Sequence, residues 1–300
     1  MANTSQIRTS LPCIPQIFER KQLRRNRDRC AKSFKDHNFL FKWVEQELLD
    51  RLGDIKHNFH NVLQIGARTS NNFTSNIIET AHIQSLSTMD ITEKLLKNHK
   101  EPTILGDEES LPFAQNTIDM VLSALSIHVV NDLPGCLMRI NRVLKADGLF
   151  LAAMFGGETL HELRQSLTHA ELEIKGGASP RIAPFADKKQ MGDLLQRAGF
   201  ALPVVDSDMI SVTYDTMFDL LHDLRGMGES NIITARDKSY TGRNFFTEAE
   251  RYYAKHFSEP DGRIHASFEI IFLIGWSPHS SQQQPLKPGS ATYKLEEILK

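Results

Sequence analysis

The sequence predicts an α/β protein built on a doubly wound parallel sheet, and three observations carry that prediction. Short apolar segments alternate with helical segments from residue 61 to residue 155, which is the βαβ order of a parallel sheet. The segment Met120–Leu122 is continuously apolar, as expected for a strand covered on both faces. The 300 residues are 40% hydrophobic and 24% charged, which suits a globular chain with a sizeable core.

The elements follow from local signals along the chain. Apolar residues at helical spacing predict a helical arm over 18–53, with a break near His37. Asn131 or Asp132 as N-cap with Pro134 in the first turn predicts a helix over 132–144, and Gly199 ends a helix over 188–198. Further helices are predicted at 71–80, 92–98, 158–174 and over most of 215–256, with an interruption at Gly226–Ser230. Strands are predicted at 61–65, 83–89, 102–105, 117–124, 148–155, 200–206 and 264–276.

The remaining segments define the expected domain limits. Residues 1–17 are expected to form a flexible N-terminus, residues 18–276 one domain, and residues 277–300 a loose polar tail. Within the domain, 157–186 and 211–262 are predicted to be helical insertions. The longest apolar stretches are strand-sized, so no membrane span is predicted.

Charge and cysteine content limit the class of protein and the cellular compartment that we expect. The net charge of −2 excludes a protein that is basic throughout. Cys13, Cys30 and Cys136 are too few and too scattered for a disulfide framework, which fits a reducing compartment. The first residues show no secretory signal, so we expect a cytoplasmic protein, with the mitochondrial matrix as the alternative.

Residues 19–35 carry eight basic side chains against two acidic ones. Two interpretations stay open: a solvated helix face, or a docking face for an acidic partner. No aromatic-interleaved RNA motif accompanies the run, so no nucleic-acid partner is expected.

A ligand of such a sheet binds outside the carboxyl ends of its strands. Gly66 follows the first strand, where a nucleotide-binding turn needs glycine. Asp90 ends the second strand and can accept ribose hydroxyls, although it can equally cap the next helix. Asp107 and Glu108 end the third strand, where an acid can take an adenine amino group, and the fourth strand runs into Ser123.

Several motifs resemble class I S-adenosylmethionine (SAM)-dependent methyltransferases. They are Gly106–Phe113, Ile118–Val121 and His128–Pro134. Within that superfamily, Gln16–Arg20, Ala153–Leu160, Ser179–Phe185, Arg197–Phe200, Asp223–Asn231 and Ile274–Trp276 resemble the complex I assembly factors that hydroxylate an arginine of a peripheral-arm subunit. The malonyl-carrier-protein methyltransferases are a more distant likeness. The resemblance covers roughly residues 16–277 and implies a Rossmann-like methyltransferase sheet, a SAM site and a complex I subunit as partner.

The first-strand motif departs from the family pattern of one acid followed by three alternate glycines. Gln64 stands for the acid, Gly66 is kept, and Arg68 and Ser70 replace glycines. We expect backbone strain at the two replaced glycines, because glycine adopts φ > 0 more easily than other residues. Arg68 would also place a cation beside the SAM sulfonium unless it turned to solvent or paired with the methionyl carboxylate. The departure predicts weakened SAM binding.

Candidates for the acceptor side are Glu158, Arg181 and Asn231. Glu158 can pair with a substrate guanidinium or favour the start of the next helix. Arg181 is a ligand contact or a surface charge, and Asn231 a contact or a turn residue. His128 is predicted to be packed, and no metal site is expected. Three functions follow: an arginine hydroxylase of complex I assembly, a methyltransferase acting on a small molecule or carrier-bound acid, or a non-catalytic assembly chaperone.

Overall fold

A seven-stranded mixed sheet forms the centre of the molecule in the computed structural model, which describes residues 15–68 and 70–283. The predictions for 1–14 and 284–300 lie outside these described residues. The strands are β1 (Asn61–Ile65), β2 (Ser85–Asp90), β3 (Thr103–Leu105), β4 (Ile118–Ala124), β5 (Leu144–Phe155), β6 (Ala201–Tyr214) and β7 (Ile264–Trp276). Their order is β3-β2-β1-β4-β5-β7-β6.

The first five strands are parallel, whereas β7 runs antiparallel to both β5 and β6. The chain moves outward from β1 through β2 to β3, then returns to place β4 on the other side of β1. This reversal creates a crevice at the carboxyl ends of β1 and β4, where ligands of open α/β sheets bind. The predicted α/β fold class is confirmed.

Helices cover both faces of the sheet and give it two cores. The helices are α1 (Arg20–Cys30), α2 (Phe39–Gly53), α3 (Asn71–Thr80), α4 (Glu93–Leu96), α5 (Leu133–Val143), α6 (His161–Lys175), α7 (Lys188–Arg197), α8 (Met217–Met227) and α9 (Arg243–His256). One core packs α2, α3, α6, α8 and α9 against the sheet, and the other packs α5 and α7 on the opposite face. Among the described residues, no helix is long and apolar enough to cross a membrane.

The second half of the chain differs from its predicted boundaries. Strand β6 continues to Tyr214 rather than ending at Asp206, because it pairs with β7 along almost its whole length. Its polar alternation, Asp206-Ser207-Asp208, hides it from a hydrophobicity pattern, and such residues protect an edge strand from further pairing. The insertion predicted from 211 therefore begins after Tyr214. The interruption predicted at Gly226–Ser230 is present but longer, because α8 ends at Met227 and α9 begins at Arg243.

The N-terminal arm lies across the carboxyl edge of the sheet. Phe18 pairs in an antiparallel bridge with Ile233 and packs in a small cluster with Leu23, Val129 and Ile232. Helix α1 then packs against α8 and α4. The arm is consequently part of the region where the crevice opens.

Candidate functional site

The turn after β1 keeps one glycine for a clear reason. Gly66 has φ +97°, and a Cβ at that position would lie 2.9 Å from Cβ of Ser126. The left-handed backbone and the close approach both require glycine. Neither replaced glycine adopts a positive φ: Arg68 lies outside that region and Ser70 has φ −85°. The strain expected at Arg68 and Ser70 is therefore wrong.

Arg68 is buried at the bottom of the site, neither turned to solvent nor free for a ligand carboxylate. Its guanidinium donates to the carbonyls of Met227 at 3.0 Å and Leu125 at 2.6 Å, and it forms an ion pair with Glu229. It also lies over the ring of Phe41, 4.8 Å from the centroid. The buried cation is thus offset within the chain by Glu229 and two carbonyls, while its Nε has no hydrogen-bond partner among the described residues.

Ser70 caps helix α3 and holds a carboxylate there. Its Oγ accepts from the Phe73 amide, while its own amide and hydroxyl donate to Glu45 at 2.7 Å each. Glu45 comes from α2 and is buried, and burial raises its pKa against the opposing effect of these hydrogen bonds. A helix N-terminus next to a nucleotide-binding turn normally receives the anion of a ligand. In this chain, Glu45 supplies that anion.

Asp90, the predicted ribose contact, is fully engaged by the protein. Its carboxylate accepts from the amides of Ala67 and Thr92, each at 2.9 Å, and from the guanidinium of Arg27 at 3.3 Å. The sequence left open that Asp90 caps the next helix. The N-cap of α4 is Thr92, and Asp90 accepts from the amide of that residue. Asp90 therefore ties together the β1 turn, the start of α4 and the arm.

Asp107 and Glu108 receive the two inward arginines of the arm. Arg20 bonds Asp107 at 2.6 Å and pairs with Glu108, and Arg27 bonds Glu108 at 3.1 Å and Ser126 at 3.1 Å. Burial alone would raise the pKa of Glu108, but Arg27 and Arg20 outweigh it and hold that pKa at about 2. Burial alone would lower the pKa of Arg27, but the Asp90 and Glu108 carboxylates outweigh that effect and raise it.

The basic run thus divides between two roles. Arg20 and Arg27 point into the site, and neither a solvated face nor an external docking face describes them. The other six basic residues are exposed: Lys21, Arg24, Arg25, Arg29, Lys32 and Lys35. Both interpretations of the basic run, a solvated face and a docking face, are therefore wrong for Arg20 and Arg27.

Ser123 lies fully buried on β4, beside Ile65 of β1. Its Oγ has no hydrogen-bond partner among the described residues. It makes no contact with the arginine cluster, so its predicted cofactor role stays a prediction.

The acceptor side contains a small cavity of about 50 Å³ next to this cluster. Arg181, Glu229 and Asn231 line it together with apolar side chains that include Phe155 and Phe185. Glu158 does not line it: this residue is exposed on the turn after β5 and joins neither Arg181 nor Asn231. Of the three candidates, Arg181 and Asn231 lie together at this cavity, and an acceptor-side role for Glu158 stays a prediction.

Arg181 and Asn231 are held in place by neighbouring segments. Arg181 pairs with Glu171 of α6 and lies over the ring of Phe245, 4.5 Å from the centroid, so it is no free surface charge. The Asn231 Nδ2 donates to the Pro180 carbonyl at 3.0 Å, and its Oδ1 accepts from the Ile233 amide. Asn231 therefore closes its turn and also faces the cavity.

Glu229 is the residue that connects the two halves of the site. One carboxylate oxygen pairs with Arg68, and the other lies 3.4 Å from Nε2 of His128. His128 is packed as predicted, edge-on to Phe155 at 4.7 Å, and burial lowers its pKa against the effect of Glu229. Sequence reasoning missed Glu229, although it lies within the Asp223–Asn231 motif.

The described residues contain no cluster of three or more His, Cys, Asp or Glu arranged to hold a metal ion.

Comparison with known proteins decides the family. The chain is 43% identical over 296 residues to the mitochondrial arginine-hydroxylase NDUFAF5 of Mus musculus, covering 96% of this chain and 85% of that protein. It is 42% identical to the Homo sapiens protein, covering 96% and 84%. The chain belongs to the NDUFAF5 arginine-hydroxylase family.

More distant comparisons place this family among the methyltransferase folds. A methyltransferase domain model matches residues 63–152. The malonyl-[acyl-carrier protein] O-methyltransferase of Xylella fastidiosa is 30% identical, covering 88% of this chain and 90% of that one. Among solved structures, the YcgJ protein of Bacillus subtilis is 16% identical and aligns with a TM-score of 0.54, over 78% of this chain and all of that one. That likeness shows the fold.

The residues of this NDUFAF5 relative do not fit SAM in the arrangement seen. The residues predicted to accept from the ribose and adenine of SAM, Asp90 and the Asp107–Glu108 pair, accept from Arg20 and Arg27 instead. Glu45 lies where the α3 N-terminus would receive a ligand carboxylate, and Arg68 adds a buried cation. SAM therefore requires the arm to move.

Proposed function

We propose that this chain hydroxylates an arginine side chain of a protein partner, and that the partner is a subunit of respiratory complex I. The family supports the reaction class, and the motif resemblance supports the partner. The observation that carries the proposal is the guanidinium cradle formed by Glu229 with the Met227 and Leu125 carbonyls. This cradle holds Arg68, and Glu229 also lines the acceptor cavity.

The cavity has the chemistry that an arginine side chain requires. A carboxylate pairs strongly with guanidinium, and apolar walls pack against the methylene stem. Glu229 supplies the carboxylate, while Phe155, Phe185 and Leu224 supply apolar surface. Burial would raise the pKa of Glu229, but the Arg68 and His128 side chains hold it well below its usual range. The group is therefore anionic at neutral pH.

The experiment is co-expression of the chain with a tagged peripheral-arm subunit of complex I, followed by peptide mass spectrometry of that subunit. A gain of one oxygen atom on an arginine supports the proposal. A gain of a methyl group, traced with methyl-labelled SAM, favours the methyltransferase alternative instead. Glu229→Gln should abolish the oxygen gain.

Glu162→Gln serves as the matched control. Glu162 is also shielded from solvent, completely where Glu229 is half-buried, but its carboxylate bonds Ser267 and does not line the cavity. Loss of the oxygen gain in both variants, with both proteins folded, would remove the argument for Glu229.

A non-catalytic assembly factor is the second candidate, favoured by the arginines that occupy the cofactor acids. Co-purification of the subunit with no mass change on any arginine supports this function.

The cellular compartment is a separate question, and the named relatives are mitochondrial. We propose the cytoplasm for this chain, with the matrix as the alternative, and cell fractionation distinguishes the two.

A further inference from the structure

A polar cleft opens on the other side of the segment that closes the acceptor cavity. It has a volume of about 400 Å³ and lies between α1 and α8. We call it the arm cleft. Its lining residues are Gln22, Asn26, Arg29, Cys30, Ser33, His37, His222, Arg225, Gly226, Ser230 and Asn231.

The arm cleft is lined by two positively charged side chains. Arg29 and Arg225 line it, and the described lining residues include no aspartate or glutamate. Both arginines are exposed, and neither side chain makes an ion pair or hydrogen bond within the described part of the chain. Asp223 of α8 is paired with Nδ1 of His37 at 2.7 Å. Two uncompensated cations therefore face the same space.

The cleft is a formed feature of the arm and not a gap between loose side chains. Its floor contains buried Asn26, which donates to the Ser230 carbonyl at 3.1 Å and accepts from Gln22 at 2.8 Å. Gly226 allows the arm to approach closely, because a Cβ there would lie 2.1 Å from the His37 ring. The two arginines are thus carried by helices that are held together on both sides of the cleft.

The position of the cleft links it to the proposed function. Ser230 and Asn231 line both the arm cleft and the acceptor cavity, so one short stretch of chain separates the two. A partner segment with its arginine in the acceptor cavity would place neighbouring side chains over the arm cleft, since an extended chain advances about 3.3 Å per residue. Carboxylate is the side-chain chemistry that matches two arginines.

We propose that the arm cleft binds an acidic side chain of the partner segment, a few residues from the target arginine. The proposal rests on the proposed function, because it takes the target to be an arginine of a protein. The carboxylate would pair with Arg29 and Arg225, and the exposed lysines and arginines of α1 would speed the approach of an acidic segment. The cleft would then select which arginine is presented.

The test uses fluorescent peptides that contain one arginine and one glutamate, joined by glycine spacers of varied length. Each has a matched peptide with glutamine in place of glutamate. Anisotropy should show at least tenfold tighter binding of the acidic peptide at one spacer length, and the preference should shrink as salt rises. The double variant Arg29→Gln/Arg225→Gln should lose the preference.

The control is Lys189→Gln/Arg197→Gln on α7, which removes the same charge from exposed, unpaired positions. It should keep the preference, and both double variants should melt at the wild-type temperature because the altered side chains are exposed. Equal binding of acidic and neutral peptides by the wild type, or an unchanged preference in the arm-cleft variant, overturns the proposal. A third peptide, with glutamine for arginine, tests the proposed function separately: unchanged binding there means that arginine is not recognised.

Discussion

Replacing Arg27 by methionine should weaken folding and strengthen binding of an adenosyl ligand. Arg27 is completely buried, and it bonds Asp90 at 3.3 Å, Glu108 at 3.1 Å and Ser126 at 3.1 Å. Methionine keeps much of the volume but removes the cation that Asp90 and Glu108 share, leaving Arg20 as the arginine paired with Glu108. Removing one partner of a buried pair costs about 3–5 kcal/mol, so the free energy of unfolding should fall by that amount.

The binding effect has the opposite sign. Without Arg27, Asp90 can accept hydrogen bonds from a ribose and Glu108 from an adenine amino group, each worth about 1.5–3 kcal/mol when the acceptor is charged. We expect S-adenosylhomocysteine to bind at least tenfold more tightly to the variant, which is about 1.4 kcal/mol. Isothermal titration calorimetry measures the affinity, and urea unfolding measures the stability. Arg24→Met is the control, because Arg24 is exposed on the same helix.

The loss of folding stability at acid pH provides a second test of the Arg27→Met variant. Arg27 and Arg20 hold the pKa of Glu108 at about 2, against an ordinary value of 4.5. A carboxyl group with a depressed pKa in the folded state stabilises above pH 4.5, and that contribution is lost as pH falls from 4.5 towards 2. At about 1.4 kcal/mol per pKa unit, Glu108 contributes about 3 kcal/mol at neutral pH.

In the Arg27→Met protein, the fall in stability between pH 4.5 and pH 2 should be shallower than in the wild type. The reasoning is refuted if the folded variant binds the ligand no more tightly and shows the wild-type loss of stability at acid pH. In that case Arg27 does not compete for the acids, and the arm is not what closes the site.

Gly66→Ala should destabilise the fold by at least about 1–2 kcal/mol in urea unfolding, because the left-handed backbone disfavours a Cβ; Gly53→Ala, with no atom within 4 Å of the added Cβ, should be neutral. Arg68→Gly should lower thermal stability and relieve no strain, because it strands the buried Glu229 carboxylate; a higher melting temperature would contradict this. Charge reversal at exposed Arg24 should leave the melting temperature unchanged but slow association with an acidic partner at low salt, as read by stopped-flow mixing, and equal rates at low and high salt would argue against the exposed face of α1.

Much of the fold follows from local sequence signals. Strands β1 and β4 are short apolar runs, and Asp132 with Pro134 marks the start of α5, where the structure places the cap. Edge strand β6 was predicted too short, because its outer half alternates polar and apolar residues against one neighbour only. Burial on one side leaves a weaker hydrophobic signal than burial on both.

The candidate site divides in the same way. Gly66 and Asp90 were placed correctly at the carboxyl edge, because any parallel strand brings its last residue there. Glu158 follows the carboxyl end of β5 as predicted, but it is exposed and does not line the acceptor cavity, because strand position does not tell which way the following turn faces. The pairing of Arg68 with Glu229 joins residues 161 positions apart, and no local pattern encodes it.

The sequence by itself determined the α/β class, most of the strands and the acids at the strand ends, whereas the strand order and the antiparallel β7 are seen only in the structure. Only the tertiary structure decided that Arg20 and Arg27 turn inward while their basic neighbours stay in solvent. The physical reason is that burying an arginine removes its hydration, and nearby carboxylates must offset that cost. Those carboxylates, Asp90, Asp107 and Glu108, come from strand ends that lie far from α1 in the chain and reach it only once the sheet has formed.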